Sequence, residues 1–298
     1  MSVFNNTDSS DEYEFLKLID NINNNGEWVE SRNGRVLSHY GNMMRFSLRN
    51  NTMPILTTKF TAYKTCLKEL LWFISGNTSN KTLQDQNVKI WNGNSTREFL
   101  DSRGLTNNDV GDLGPVYGFQ WRHFNAPYKT CNDDYSNTGI DQLQYVINML
   151  KDPKERFSRR IIMSAWNPCQ IDQMALPPCH VMCQFKVSPN NELSCILYQR
   201  SGDVGLGVPF NIASYSYLTH LLAHHCGLVA KEFIHVIGDA HIYEEHLEPL
   251  YEVFKNKPYK FPTIQILNKY DSIDQYKFDD FKINNYIYHN KIDLKMVV

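Results

Sequence analysis

The sequence has no C-x2-C pair, no apolar run long enough to span a bilayer, no charged-apolar-small leader and almost no net charge. Each absence removes a class of function. Seven cysteines, at 66, 131, 169, 179, 183, 195 and 226, are an odd number that suits neither a disulfide framework nor a zinc ribbon. A reducing, cytoplasmic setting is expected, with nuclear presence left open. The most apolar stretch, Leu218 to Ala230, is interrupted by His224 and His225 and falls short of the ~20 residues of a spanning helix. No membrane association is expected. A formal charge of −2 gives no general attraction to DNA or anionic lipid, so a bound anion must meet a local arginine cluster. His220 and His224 stand four apart, but no carboxylate or cysteine completes a metal set, and none is expected. The glycines of QRSGDVGLGVPFN, residues 199–211, do not space as a dinucleotide fingerprint. No linker divides the chain. Residues 1–10, rich in Asn, Ser and Asp, read as a flexible tail, and 11–298 as a single α/β (α+β) domain whose core is supplied by a 42% hydrophobic composition.

What is present is organised around MALPPCHVMCQF, residues 174–185. Pro177 and Pro178 hold Cys179 on stiff backbone at the mouth of an alternating strand. On its own a cysteine is more often a small buried hydrophobe than a nucleophile. Ser188-Pro189-Asn190-Asn191 then predicts a hairpin that returns through Leu193 to Arg200, bringing Arg200 to the level of Cys179, where its charge would favour the thiolate. Strand alternation points His180 away from Cys179 and makes it a structural neighbour.

Other groups flank this thiol. Helical spacing over 62–74 sets Glu69 among leucines, where burial would raise its pKa and suit proton transfer; outward pairing with Lys64 or Lys68 is the alternative. Gly114, Pro115 and Gly118 mark an irregular backbone that can bring Tyr117 against something flat. Arg159 and Arg160 precede a strand over 161–165 with side chains on opposite faces. His241 and Tyr243, two apart, project the same way if the strand over 233–237 persists. Helices are also expected from Asp11 and Glu12 to Gly26, with Ser9 or Ser10 as cap, over 138–150, and over 212–226 as a central buried helix. The apolar C-terminus is a candidate cap, with fraying as the default.

Taken in order, KELLWFISG, VKIW, LGPVYGFQWRHF, SRRIIMSAWNP, MALPPCH, YQRSGDVGLGVPFN and GDAHIY resemble the thymidylate synthase family across nearly the whole chain after residue 12. Residues 134–143, DYSNTGIDQL, resemble the insert of its eukaryotic and large-DNA-virus branch, and no dihydrofolate reductase portion is expected in the short N-terminal extension. The resemblance implies a large mixed sheet flanked by helices, a homodimer packed through the sheet, and reductive methylation of dUMP at C5 by 5,10-methylenetetrahydrofolate. It makes Cys179 the nucleophile at C6, with Glu69, Tyr117, Asn211, Asp203 and Arg200 as further catalytic groups. Arg32, Arg200 and Ser201, with Arg159 and Arg160 from the partner, would hold the phosphate. Gly202, Asp203 and Asn211 would face the base, and His241 and Tyr243 the deoxyribose. Ile90, Trp91, Asn94, Asp203, Leu206, Gly207, Phe210 and Val297 would enclose the folate. The loop Arg32-Asn33-Gly34-Arg35 is one residue shorter than the family's usual R-T/S-G-x-G-T, leaving Arg35 as an alternative to Arg32. Asn92 stands where aspartate is common. The rival readings are a nucleotide hydroxymethylase on the same fold, and a non-catalytic RNA-binding or scaffold relative; no basic face favours RNA, and messenger RNA binding is left open.

Overall fold

The computed structural model describes residues 10–296, so most of the expected N-terminal tail, and Val297, lie outside the described residues. Six strands form one sheet: β1 (Glu27–Ser31), β2 (Gly34–Ser47), β3 (Ile162–Ser164), β4 (His180–Val187), β5 (Glu192–Asp203) and β6 (Val229–Tyr243), in the order β1-β2-β6-β5-β4-β3. Only β5 and β6 run parallel. They are joined by the helix Gly207–Cys226, because a parallel pair needs a long crossover. That helix is apolar nearly all round and is buried nearly all round, against the sheet and against the helix Tyr63–Ile74. Gly227, at φ 70°, ends it in the left-handed conformation.

The Pro-Asn-Asn turn forms the expected hairpin. Ser188 N–H donates to Glu192 O at 2.8 Å and Asn191 takes φ 57°. The strand over 233–237 is longer than expected, running unbroken to Tyr243. Two helices depart from expectation. The one expected over 138–150 is Gln142–Lys151, because Gly139 turns at φ 67° and Ile140 bridges to Phe124, leaving Asp141 to cap Gln144 N–H at 2.9 Å. In the first helix, Tyr13–Asn25, Ser10 Oγ accepts from Glu12 N–H at 3.3 Å, while Glu12, which stands at the cap position, makes no capping bond with its own side chain. Its acids serve tertiary contacts instead of the helix dipole: Asp11 accepts from Ser47 N–H, and buried Glu12 accepts from the amides and hydroxyls of Thr57 and Thr58.

One sheet face is only partly covered. Directly paired residues share a face, and the row Met43–Val236–Tyr198–Met182–Ser164 lies beside Arg45–Ile234–Ile196–Gln184–Ile162. Met43 is 60% exposed, and Tyr198 and Ile162 are each 38% exposed. The row between them, Met44–His235–Leu197–Cys183–Met163, points the other way and is buried throughout. Apolar side chains therefore stand open along this face among the described residues.

Candidate active site

The site forms where the C-terminal ends of β5 and β6 meet the start of β4. Cys179 sits on the residue before β4, half-buried, with its carbonyl accepting from Arg200 N–H at 2.9 Å. The hairpin register therefore brings Arg200 to the thiol's level. The Arg200 guanidinium is held in place: Nε and Nη2 donate to the carbonyls of Pro178 and Pro177, each at 2.9 Å, and its carbon lies 5.8 Å from the centre of the Trp166 ring. The proline pair thus anchors the cation as well as the cysteine.

Arg200 favours the thiolate as expected, but a second influence outweighs it. Burial dominates and pushes the Cys179 thiol above its ordinary value; Arg200 and the Tyr117 hydroxyl pull it back without reversing the sign. The resting group is a thiol beside a fixed cation. Tyr117, at the first turn of the helix Tyr117–His123, accepts the Cys179 N–H on its hydroxyl at 2.8 Å. Its ring lies 4.8 Å from Phe73, stacked, with the Trp91 edge at 5.9 Å. Gly118 makes this approach possible, since a Cβ there would stand 2.5 Å from the Phe73 carbonyl oxygen. Burial also drives the Tyr117 phenol well above its usual range.

Glu69 is buried, not paired with Lys64 or Lys68 on the surface. It accepts from Trp91 Nε1 at 2.7 Å, and burial raises its pKa to about 7 against that hydrogen bond. A carboxyl with this value can give and take a proton near neutral pH. Trp91, one of the expected folate residues, is therefore also the group that orients Glu69. Asn92 accepts from Asn80 and Gln84, which suits an amide oxygen at that position.

The placement of His180 is a correction. The ladder slips between His180 and Met182, so simple alternation fails there. The imidazole is buried between Tyr117, 5.2 Å away, and Tyr215, 5.3 Å away, and it faces the amide of Asn211. Burial lowers its pKa to about 4, so it is neutral. Gly207 lies next to this group, a Cβ there being 3.9 Å from Asn211 Oδ1 and 3.8 Å from Asp203 Cβ.

On the strand ends, Ser201 pairs with Asp239 and Asp203 with His241. Gly202 fits where a Cβ would come within 2.9 Å of Val208. His241 Nδ1 is 3.1 Å from Asp239, and its ring meets Tyr243 edge-on at 5.5 Å. Burial raises the Tyr243 phenol above its ordinary value, with the Asp203 charge adding to it and the Asn33 side chain and Arg32 opposing. Arg32 sits exposed on the β1–β2 turn. Arg35 does not stand free as a substitute: Glu244 at 2.9 Å and Glu30 at 3.5 Å neutralise it, over the Trp28 ring. Asp203 Oδ1 accepts from Gly205 N–H at 2.8 Å and shapes the turn that leads to Leu206 and the helix. Ile90, Asn94, Leu206 and Phe210 are half-buried.

Arg159 and Arg160 are not brought to this cluster within the chain. Arg159 O accepts from Gln184 and Ile162 pairs with Gln184, five residues along β4 from Cys179, roughly 17 Å at the rise of a strand. Three groups escaped the sequence reading. Lys59, buried, donates its Nζ to the Gly205 carbonyl, and burial lowers it to about 8 against the pull of Asp203. Trp166 lies under Arg200, and His246 lies beside Asp203. A lysine inside the apolar run MPILTTKF was the one available local signal. Among the described residues no cluster of metal-ligating side chains occurs; His220 and His224 each face a backbone carbonyl, of Thr52 and Asn268. No described helix is long and apolar enough to cross a membrane.

Comparison with known proteins places this arrangement. The thymidylate synthase family model matches residues 13–298. A bifunctional dihydrofolate reductase-thymidylate synthase 2 of Arabidopsis thaliana is 52% identical over 292 residues, 98% of this chain and 51% of that protein. A bifunctional dihydrofolate reductase-thymidylate synthase of Plasmodium berghei is 50% identical over 287 residues, 96% of this chain and 48% of that protein. A probable thymidylate synthase of Schizosaccharomyces pombe is 50% identical over 301 residues, 97% of this chain and 48% of that protein. The chain spans about half the length of the curated relatives it matches. With a match of this extent, and with Cys179, Glu69, Tyr117 and Asn211 gathered at one end of the sheet, the chain belongs to the thymidylate synthase family.

Proposed function

We propose that this protein methylates dUMP at C5 with 5,10-methylenetetrahydrofolate as carbon donor and reductant, releasing dTMP and dihydrofolate. The observation that carries the reading is Cys179 fixed by Tyr117 and Arg200, beside a carboxyl at Glu69 that titrates near 7. The Cys179 sulfur adds to C6 of the pyrimidine, the thiol proton is lost, and the electron pair moves through C5 toward O4. C5 then bonds to the folate methylene as the methylene–N10 bond opens, and C5 loses its proton with Tyr117 assisting. The methylene–N5 bond breaks to release tetrahydrofolate and leave an exocyclic methylene, and this accepts hydride from the tetrahydrofolate as Cys179 leaves, giving dTMP and dihydrofolate. Glu69 relays protons near O4 and the folate, and its neutral form persists to about pH 7 because it is buried. The Asn211 amide offers one donor and one acceptor, the pattern of uracil O4 and N3–H, with the neutral His180 ring beside it. His241 and Tyr243 take the 3′-hydroxyl, and Arg32, Arg200 and Ser201 the phosphate. The folate lies against Ile90, Trp91, Asn94, Asp203, Leu206, Gly207 and Phe210.

The active unit is a homodimer. The open rows of the sheet supply an apolar face for a second copy, and Arg159 and Arg160 stand exposed beside Ile162 at its margin, where they reach the partner's phosphate site. The free cysteines suit a cytoplasmic setting. Neither the hydroxymethylase nor the non-catalytic reading is favoured by the family match.

Incubation with 5-fluoro-dUMP and methylenetetrahydrofolate tests this reading, because fluorine at C5 cannot leave as a proton. Intact-mass analysis is expected to find both molecules on the protein, with Cys179 as the modified residue. Absence of the adduct would contradict the reading, and formation of 5-hydroxymethyl-dUMP in ordinary turnover would favour the hydroxymethylase.

A further inference from the structure

A buried imidazole joins the turn after β5 to the C-terminal segment. His246, in the helix Glu244–Leu250, is 1% exposed. Its Nε2 lies 2.8 Å from the Lys295 carbonyl oxygen. Its Nδ1 lies 3.8 Å from Asp203 Oδ1 and has no hydrogen-bond partner among the described residues. A carbonyl cannot donate, so Nε2 carries a proton. In a neutral ring Nδ1 would then turn its lone pair toward a carboxylate, whereas the imidazolium presents a proton to both oxygens. The packing is close as well. A Cβ on Gly205 would stand 2.9 Å from His246 Nδ1 and 3.2 Å from both Asp203 Oδ1 and Leu294 Cδ1.

We propose that His246, as the imidazolium, is a positioning residue that latches the C-terminal segment at Leu294–Lys295 onto the Asp203 turn. The latch stands on this geometry alone; its consequence for turnover rests on the function proposed above. Asp203 and Glu245 favour the charged ring, burial and the Lys59 ammonium on the far side of Gly205 oppose it, and Tyr243 packs edge-on at 5.6 Å. Although burial is the largest single influence, the carboxylates and the Lys295 carbonyl together raise His246 above its ordinary value. A raised histidine contributes fully below its unfolded pKa of ~6.5 and is lost as pH rises through the folded value. The segment therefore loosens toward alkaline pH.

Hydrogen exchange of the ligand-free, full-length protein between about pH 6 and pH 9, corrected for intrinsic rates, tests the latch. Protection of the peptide ending the chain is expected to fall roughly tenfold across that range, the size of one charge-assisted hydrogen bond. His246→Gln keeps a donor for the Lys295 carbonyl but cannot titrate, so its protection is expected to be lower and flat. In turnover the same variant raises KM for methylenetetrahydrofolate more than it lowers kcat. PH-independent protection in the wild type would overturn the proposal without any variant. An equal pH response in wild type and His246→Gln would also overturn it and point to Lys59, which loses its charge near 8. Since exchange needs no catalysis, failure of the latch is distinct from failure of the proposed reaction.

Discussion

Arg200 and the Arg159–Arg160 pair carry the same functional group near opposite ends of β4, and their settings differ completely. Arg200 is bound on its backbone to Cys179 and on its guanidinium to Pro177 and Pro178, above Trp166. It has lost its freedom before any ligand arrives. Arg159 and Arg160 stand exposed, beside an open apolar face and far from their own chain's thiol. The contrast separates two tasks. Covalent chemistry and proton transfer need rigid, partly desolvated groups, which one chain supplies, whereas in the homodimer proposed above part of the anion site would come from a second copy.

The sharpest test of the one-chain half is Cys179→Ser, which should lower kcat by roughly 10⁴-fold or more while dUMP affinity, measured by calorimetry, stays within about threefold. Turnover near that of the wild type would break the assignment. Glu69→Gln should lower kcat by roughly 10²- to 10⁴-fold and remove a limb of the pH–rate profile near 7. The same change should alter stability in a defined direction. A carboxyl raised from 4.5 to about 7 binds its proton more tightly when folded, so the wild type loses stability as pH rises between those values. Denaturant titration at pH 8 should find Glu69→Gln more stable by a few kcal/mol, with the difference vanishing near pH 4. Replacing both Arg159 and Arg160 by Ala addresses the two-chain half and should raise KM for dUMP by roughly 10- to 100-fold, as expected for charged hydrogen bonds to phosphate. Arg35→Ala, already neutralised by Glu30 and Glu244, should change KM by less than about threefold. A larger effect would return Arg35 to the phosphate site.

Much of this arrangement was legible locally. The turn at 188–191 and the distances along its two arms place Arg200 beside Cys179, while the leucines around Glu69 allow its burial but leave outward pairing with Lys64 or Lys68 equally open. What was not legible depends on partners distant in sequence. Nothing near His180 signals the slip in the β4–β5 ladder that returns its ring to the site. Asp11 and Glu12 look like the acidic first turn of a helix, yet Ser47, Thr57 and Thr58 claim them. Nothing around EEHLEPL signals that its histidine is buried between Asp203 and the C-terminal segment at Lys295. The cation that favours the Cys179 thiolate is visible in the sequence, and the burial that outweighs it is not.

The proposed division of labour is tested most directly by mixing inactive Cys179→Ser with the Arg159→Ala, Arg160→Ala double variant, at a dUMP concentration well below the latter's raised KM so that both parents turn over weakly, and allowing their subunits to exchange. Half of a random mixture is hybrid, and each hybrid holds one site with both its thiol and its borrowed arginines, so activity should recover to about a quarter of the wild type. A mixture no more active than its parents, with exchange confirmed by native mass spectrometry, would show that the arginines serve their own chain or none, and would contradict the shared site.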